Sequence, residues 1–249
     1  MTEGVFFTKL NRRNPPPMPE PPLYRPFLTY VFENPDPEPS CWEEDPHGFG
    51  KRCDSRPAEI VALYLHLMRN LRKDLADFSL DQIACGVERL IHPGQSSLVF
   101  VLQNRAVAMS ERCEAIRAMA QLYEDVFDLH CAPVMCHLDQ PGGNRLNSVC
   151  YMWWDVTPIN FYRTVVNRLD PEVRDDVRPI AEAVFSVLEQ ALYAENIVSV
   201  ESGLHGLGHM ACDWAKEVNA IINLYQRRRP NHDPRILRYA DLARHGLVE

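Results

Sequence analysis

"RPAEIVALYLHLMRNLRKDLADF", Arg56 to Phe78, sets the fold class. Ile60, Leu63, Tyr64, Leu67, Leu71 and Leu75 recur at intervals of three and four residues, a spacing that lines up one face of an α-helix and fits no strand. Pro57 suits the first helical turn, where its missing N–H would have had no partner. The next stretch, "SLDQIACGVERLIHPG", opens on Ser79 as a candidate N-cap and closes on Pro93 and Gly94, both stop signals. So short a connection predicts an antiparallel hairpin of two helices.

The pattern continues toward the C-terminus. "SERCEAIRAMAQLYEDVFDLH", starting at Ser110, carries Cys113, Ile116, Met119, Ala120, Tyr123 and Phe127 on one stripe, and Pro133 ends it. Asp170 before Pro171 and Asp233 before Pro234 read as helix starts, each a capping residue followed by proline. "SSLVFVLQN", residues 96–104, reads either as a short strand or as an apolar loop. The predicted fold is all-α: an irregular helical bundle or a short HEAT-like helix-pair stack over residues 57–249.

Upstream the composition changes. Eleven of the twenty prolines fall between Pro15 and Pro46, a density that opposes regular helix or central strand and predicts an extended, proline-rich arm over residues 1–56. Tyr24, Phe27, Tyr30, Phe32 and Trp42 are interleaved with those prolines and give the arm material with which to pack on the helical body. A polyproline ligand for a partner's aromatic groove is the competing reading.

A formal net charge of −8 argues against broad nucleic-acid binding, which needs a basic stripe. Arg227, Arg228 and Arg229, at the end of a helical segment, read as cations complementing the helix dipole. No apolar run reaches the roughly 18–20 residues that span a bilayer, and the first residues show no signal-peptide core, so a cytoplasmic location is expected. In that setting most of the eight cysteines are expected to be buried thiols.

Chemistry concentrates in "VESGLHGLGHM", Val200 to Met210. At about 100° per residue, His205, His209 and Cys212 lie roughly 40°, 80° and 20° from Glu201. They share a face separate from the apolar stripe of Val200, Leu204, Leu207, Ala211 and Trp214. Glu, His and Cys are donors that bind zinc, so Glu201, His205, His209 and Cys212 form a candidate metal set. The segment departs from the zincin H-E-x-x-H pattern, because no glutamate follows the first histidine to act as general base. Each glycine costs on the order of 1 kcal/mol relative to alanine within a helix, which predicts close packing against Gly203 and Gly206 on one flank and Gly208 on the other. Buried, hydrogen-bonded histidines, one of them oriented by Glu201, are the corresponding structural expectation.

Two further clusters stand out. "HCAPVMCHLD" brings together His130, Cys131, Cys136, His137 and Asp139, though its cysteine spacing matches neither a zinc knuckle nor a haem-attachment motif. "CYMWWDV" offers Trp153, Trp154 and Asp155, which with His137 form a candidate binding set. Two adjacent tryptophans cannot both face one side of a helix, so one is expected in the core and the other at a partly exposed position or under the arm. The segments "CYMWWD" and "ESGLHGLGH" resemble those of a set of uncharacterised bacterial helical proteins similar to HEAT-type stacks. That resemblance implies a helical-stack fold and brings no activity with it.

No G-x-S-x-G elbow, P-loop or dinucleotide fingerprint is present. The leading expectation is therefore a non-catalytic helical interaction protein, an adaptor or neutralising partner of a protein or peptide, needing no cofactor. The alternative is a zinc-dependent hydrolase, or a ligand-binding protein, using the Glu201, His205 and His209 face.

Overall fold

Residues 19–33, 45–159 and 174–248 are described by the computed structural model of the chain, and every regular element among them is helical. In order these are α1 (Tyr24–Phe32), α2 (Phe49–Ser55), α3 (Pro57–Asp74), α4 (Leu80–Ile91) and α5 (Met109–Ala118). Then comes α6, which runs from Ala120–Leu122 through a π-helical turn at Tyr123–Phe127 into Asp128–His130. It is followed by α7 (Arg145–Val156), α8 (Arg174–Ala191), α9 (Ile197–Arg228) and α10 (Pro234–Ala243). No helix among the described residues is long and apolar enough to cross a membrane.

The start signals act as the sequence suggests. Pro57 occupies the first turn of α3, and Ser79 caps α4 through a capping box in which Ser79 Oγ accepts from Gln82 N and Gln82 Oε1 accepts from Ser79 N. Asp233 caps α10 by accepting from Arg235 N. The Asp170–Pro171 start lies outside the described residues. "SSLVFVLQN" is neither strand nor loop but a 3₁₀ helix, Leu98–Leu102, whose Leu98, Val99, Val101 and Leu102 are all buried. Arg229 donates to the carbonyls of Tyr193 and Ala194, so the end of α9 also caps the chain leaving α8.

Two expectations give way. α4 packs against α1 and α7, and α3 against α5, so the predicted α3–α4 hairpin does not form. The reason is α1 itself, a helix inside the segment predicted to be extended. Pro26 sits in its first turn, where a helix tolerates proline, and Tyr24, Phe27, Leu28, Val31 and Phe32 are buried. Phe32 fits against Gly86 of α4, where an added Cβ would come within 2.0 Å of the ring. Arg89 of α4 donates to the carbonyls of Tyr30 and Val31 near the end of α1. The described part of the proposed arm thus packs on the body as helix, including α2, and residues 1–18 and 34–44 lie outside the described residues.

α9 is the centre of the molecule, packed by α7, α8 and α10. Its residues 198–208 are buried without a break. An added Cβ at Gly203 would meet Ala191 Cβ at 2.9 Å, at Gly206 Leu188 Cδ2 at 2.5 Å and Trp154 Cγ at 2.7 Å, and at Gly208 Val248 Cγ2 at 2.4 Å. The glycines therefore let neighbours approach on both flanks, which offsets their cost in a helix. Beyond them α9 kinks at Trp214, whose φ of −131° and ψ of 37° are not helical.

Candidate metal centre

α9 and α7 bring the donors together. α7 begins at Asn144, which caps it through a reciprocal capping box with Asn147, and it ends beside α9 with Asp155 in its last turn. The Nε2 atoms of His205 and His209 lie 2.9 Å apart, and His209 Nε2 lies 3.1 Å from Asp155 Oδ1. All three donor atoms fall within 4.8 Å of one another. Tetrahedral zinc ligands at ~2.0–2.1 Å from the ion lie ~3.3 Å apart, close to the His205–His209 and His209–Asp155 separations here.

The electrostatics suit neutral ligands. Burial, helped by the neighbouring His209 and His137, holds the His205 imidazole down to about 3. Burial also lowers His209, against an opposing pull from the Asp155 carboxylate. Both rings therefore keep metal-binding lone pairs through the physiological range. His205 is buried, His209 is half-buried, and the Asp155 side chain is 37% exposed, so the cluster opens to solvent on the α7 side.

Glu201, expected to ligate with the histidines, is engaged elsewhere. Fully buried one turn before His205, its carboxylate accepts from the backbone N–H of Cys136 at 2.8 Å, from that of His137 at 3.0 Å, and from His137 Nδ1. It thereby caps the short 3₁₀ helix Cys136–Leu138. The imidazole it orients is that of His137. Burial, reinforced by the Glu201 carboxylate, pushes the Cys136 thiol up to about 12, which keeps it protonated. Cys212 is exposed and does not join the donor cluster.

The candidate binding set divides. Trp153 and Trp154 are both buried: Trp153 packs edge-on against Phe127, and Trp154 Nε1 donates to Tyr123 Oη at 2.7 Å. The expectation of one exposed indole overlooked that α7 is covered on several sides, by α4, α9 and the π-helical turn of α6. Asp155 belongs to the donor cluster, and His137 reaches its edge by stacking on Tyr239 at 4.2 Å between ring centroids. Of the first cluster, His130 is exposed at the end of α6, and Asp139 terminates the 3₁₀ turn in a left-handed conformation.

Two residues not singled out from the sequence complete the surroundings. Tyr239 of α10 places its hydroxyl 2.8 Å from His205 Nδ1, and Tyr151 of α7 places its own 3.3 Å from that of Tyr239. Both tyrosines occupy core-facing positions of amphipathic helices, so their pattern in the sequence is that of ordinary core residues. Comparison with protein-family models, with curated proteins and with solved structures finds no match for the chain.

Proposed function

We propose that the protein binds a divalent transition-metal ion, zinc in the first instance, through Asp155 Oδ1, His205 Nε2 and His209 Nε2. The convergence of these three donor atoms within 4.8 Å, on neutral imidazoles and a carboxylate, carries the reading. Three protein ligands with a solvent-facing side match the pattern of catalytic zinc sites, which keep one position for water, and differ from closed structural sites with four protein ligands. Such an ion supplies an acidified water, so metal-assisted hydrolysis is the activity assigned to the site. Glu201 and Cys212 are not part of the ligand set in this proposal.

Elemental analysis of protein purified without an affinity tag tests it. About one metal ion per chain is expected, lost in His209→Ala; fewer than about 0.1 per chain in protein prepared with added zinc overturns the proposal. A panel of chromogenic esters and phosphodiesters then tests the hydrolytic assignment, with turnover expected only in the metal-loaded wild type.

The interaction reading draws support from Leu242 and Leu247, exposed at 44% and 61% and joined by a hydrogen bond from Leu247 N to Leu242 O. Two leucines form a patch smaller than a stable interface needs, so this reading stands second. A HEAT-like stack is likewise our proposal, supported by the packing of the successive helices α8 on α9 and α9 on α10. A cytoplasmic setting is supported by the buried, reduced thiols of Cys53, Cys131 and Cys150.

A further inference from the structure

The hydrogen bonds around His205 have one consistent direction. Asp155 Oδ1 lies 3.1 Å from His209 Nε2, and a carboxylate only accepts, so the proton between them sits on His209 Nε2. His209 Nε2 is also 2.9 Å from His205 Nε2, and two ring nitrogens at that distance share a single proton. The same His209 Nε2–H, shared between the carboxylate and the ring, supplies it, so His205 Nε2 presents a lone pair. An imidazolium at His205 would instead set two N–H groups against each other across this gap. The single N–H of His205 is therefore on Nδ1, where it donates to Tyr239 Oη at 2.8 Å. Tyr239 passes its own proton toward Tyr151 Oη, 3.3 Å away.

We propose that Tyr239 is a positioning residue for the metal centre: by accepting from Nδ1–H it works with the Asp155–His209 pair to hold His205 in the tautomer that turns a lone pair toward that pair. Glu201 contributes from a distance. It holds the His137 imidazole and the two backbone N–H groups beneath it, and the His137 ring lies flat on the Tyr239 ring with an interplanar angle of 20°. The hydroxyl of Tyr239 is thus aimed by a stacked, carboxylate-anchored histidine. This gives the buried Glu201 a role behind the ligands, the arrangement by which outer-shell groups fix imidazole orientation in metal sites. The proposal rests on the metal reading for its purpose, but the tautomers it assigns are those of the metal-free protein; ligation through His209 Nε2 displaces that ring's proton to Nδ1.

Long-range ¹H–¹⁵N NMR spectra of the imidazoles separate the two questions. In metal-free wild type, His205, assigned by its absence from His205→Gln, is expected as the Nδ1–H tautomer and His209 as Nε2–H. In Tyr239→Phe, His205 becomes a mixture of tautomers. In a competition titration with a chromogenic chelator, zinc affinity of Tyr239→Phe falls about 10- to 100-fold. Tyr151→Phe, which leaves the Tyr239 oxygen in place, gives a smaller loss. A wild-type His205 found as Nε2–H overturns the proposal, as does a Tyr239→Phe protein with unchanged tautomer and unchanged affinity. Should wild type bind no zinc, the metal reading falls, and the tautomer comparison alone still decides whether Tyr239 sets His205. Should Tyr239→Phe fail to fold, Asp155→Ala decides it: His205 stays Nδ1–H if Tyr239 holds the tautomer, and a mixture of tautomers there overturns the proposal.

Discussion

Two acid–histidine pairs meet α9 about two turns apart, at Glu201 and at His209, and differ in how fully the acid is occupied. Glu201 is shielded from solvent and takes three donors, two backbone N–H groups and the His137 imidazole. Asp155 faces His209 with a side chain that is 37% exposed. A saturated carboxylate in the core holds structure together, because losing it strands its donors. A carboxylate at the rim beside two neutral imidazoles retains the capacity to accept something more. Residue types alone make the pairs look alike; the difference lies in the donors that reach each acid.

The largest test of that contrast is Glu201→Ala, which strands two N–H groups and an imidazole and should cost roughly 3–5 kcal/mol in urea unfolding of chelator-treated protein. A loss under about 1 kcal/mol would erase the distinction. Asp155→Ala and His209→Ala should do the reverse, weakening zinc binding at least ~100-fold, equivalent to ~2.7 kcal/mol, with metal-free stability changed by about 1 kcal/mol or less. If Glu201→Gln lowers zinc affinity as much as Asp155→Ala does, Glu201 acts as a ligand after all.

Acid supplies a third test, smaller per pH unit. The folded-state value of His205 is held at about 3 against an ordinary 6.5, so between those limits the unfolded chain binds the extra proton. Stability of the metal-free protein is therefore complete above 6.5 and falls as pH drops toward 3, by up to about 1.4 kcal/mol per pH unit from this group. His205→Gln should flatten that slope in denaturation curves taken across the window, whereas an unaltered slope would mean that another group carries it. The smallest effect is expected from Cys212→Ser, which should leave zinc affinity where it was; a clear loss would bring Cys212 into the ligand set.

Local signals in the sequence carried much of the helical fold. Pro57, Ser79 and Asp233 mark helix starts because caps and first-turn prolines act within four residues. α1 was hidden by a rule that holds for helix interiors and fails in the first turn, where Pro26 lies. At the site, angular projection grouped His205 with His209 and overextended to Glu201 and Cys212. A face has length as well as direction: at ~1.5 Å per residue, Glu201 and Cys212 are ~16 Å apart along the axis, beyond the reach of one ion. Asp155 was visible as a residue but not as a partner, since 54 positions separate it from His209 and nothing local encodes their meeting. Tyr239 gave no signal at all, because a tyrosine on a core stripe looks the same whether or not its hydroxyl meets a histidine.

The glycine-lined run of α9 also has a kinetic consequence. Residues 198–208 are buried without a break and gripped on both flanks, by Leu188, Ala191 and Trp154 on one side and Val248 on the other. No small local opening can expose their amides, so those amides should exchange with solvent deuterium only when the whole molecule unfolds. Their exchange rate then acts as a built-in gauge of global stability. An ion seated on His205 and His209 should slow that exchange in proportion to its affinity, which makes occupancy of the site measurable without labelling it.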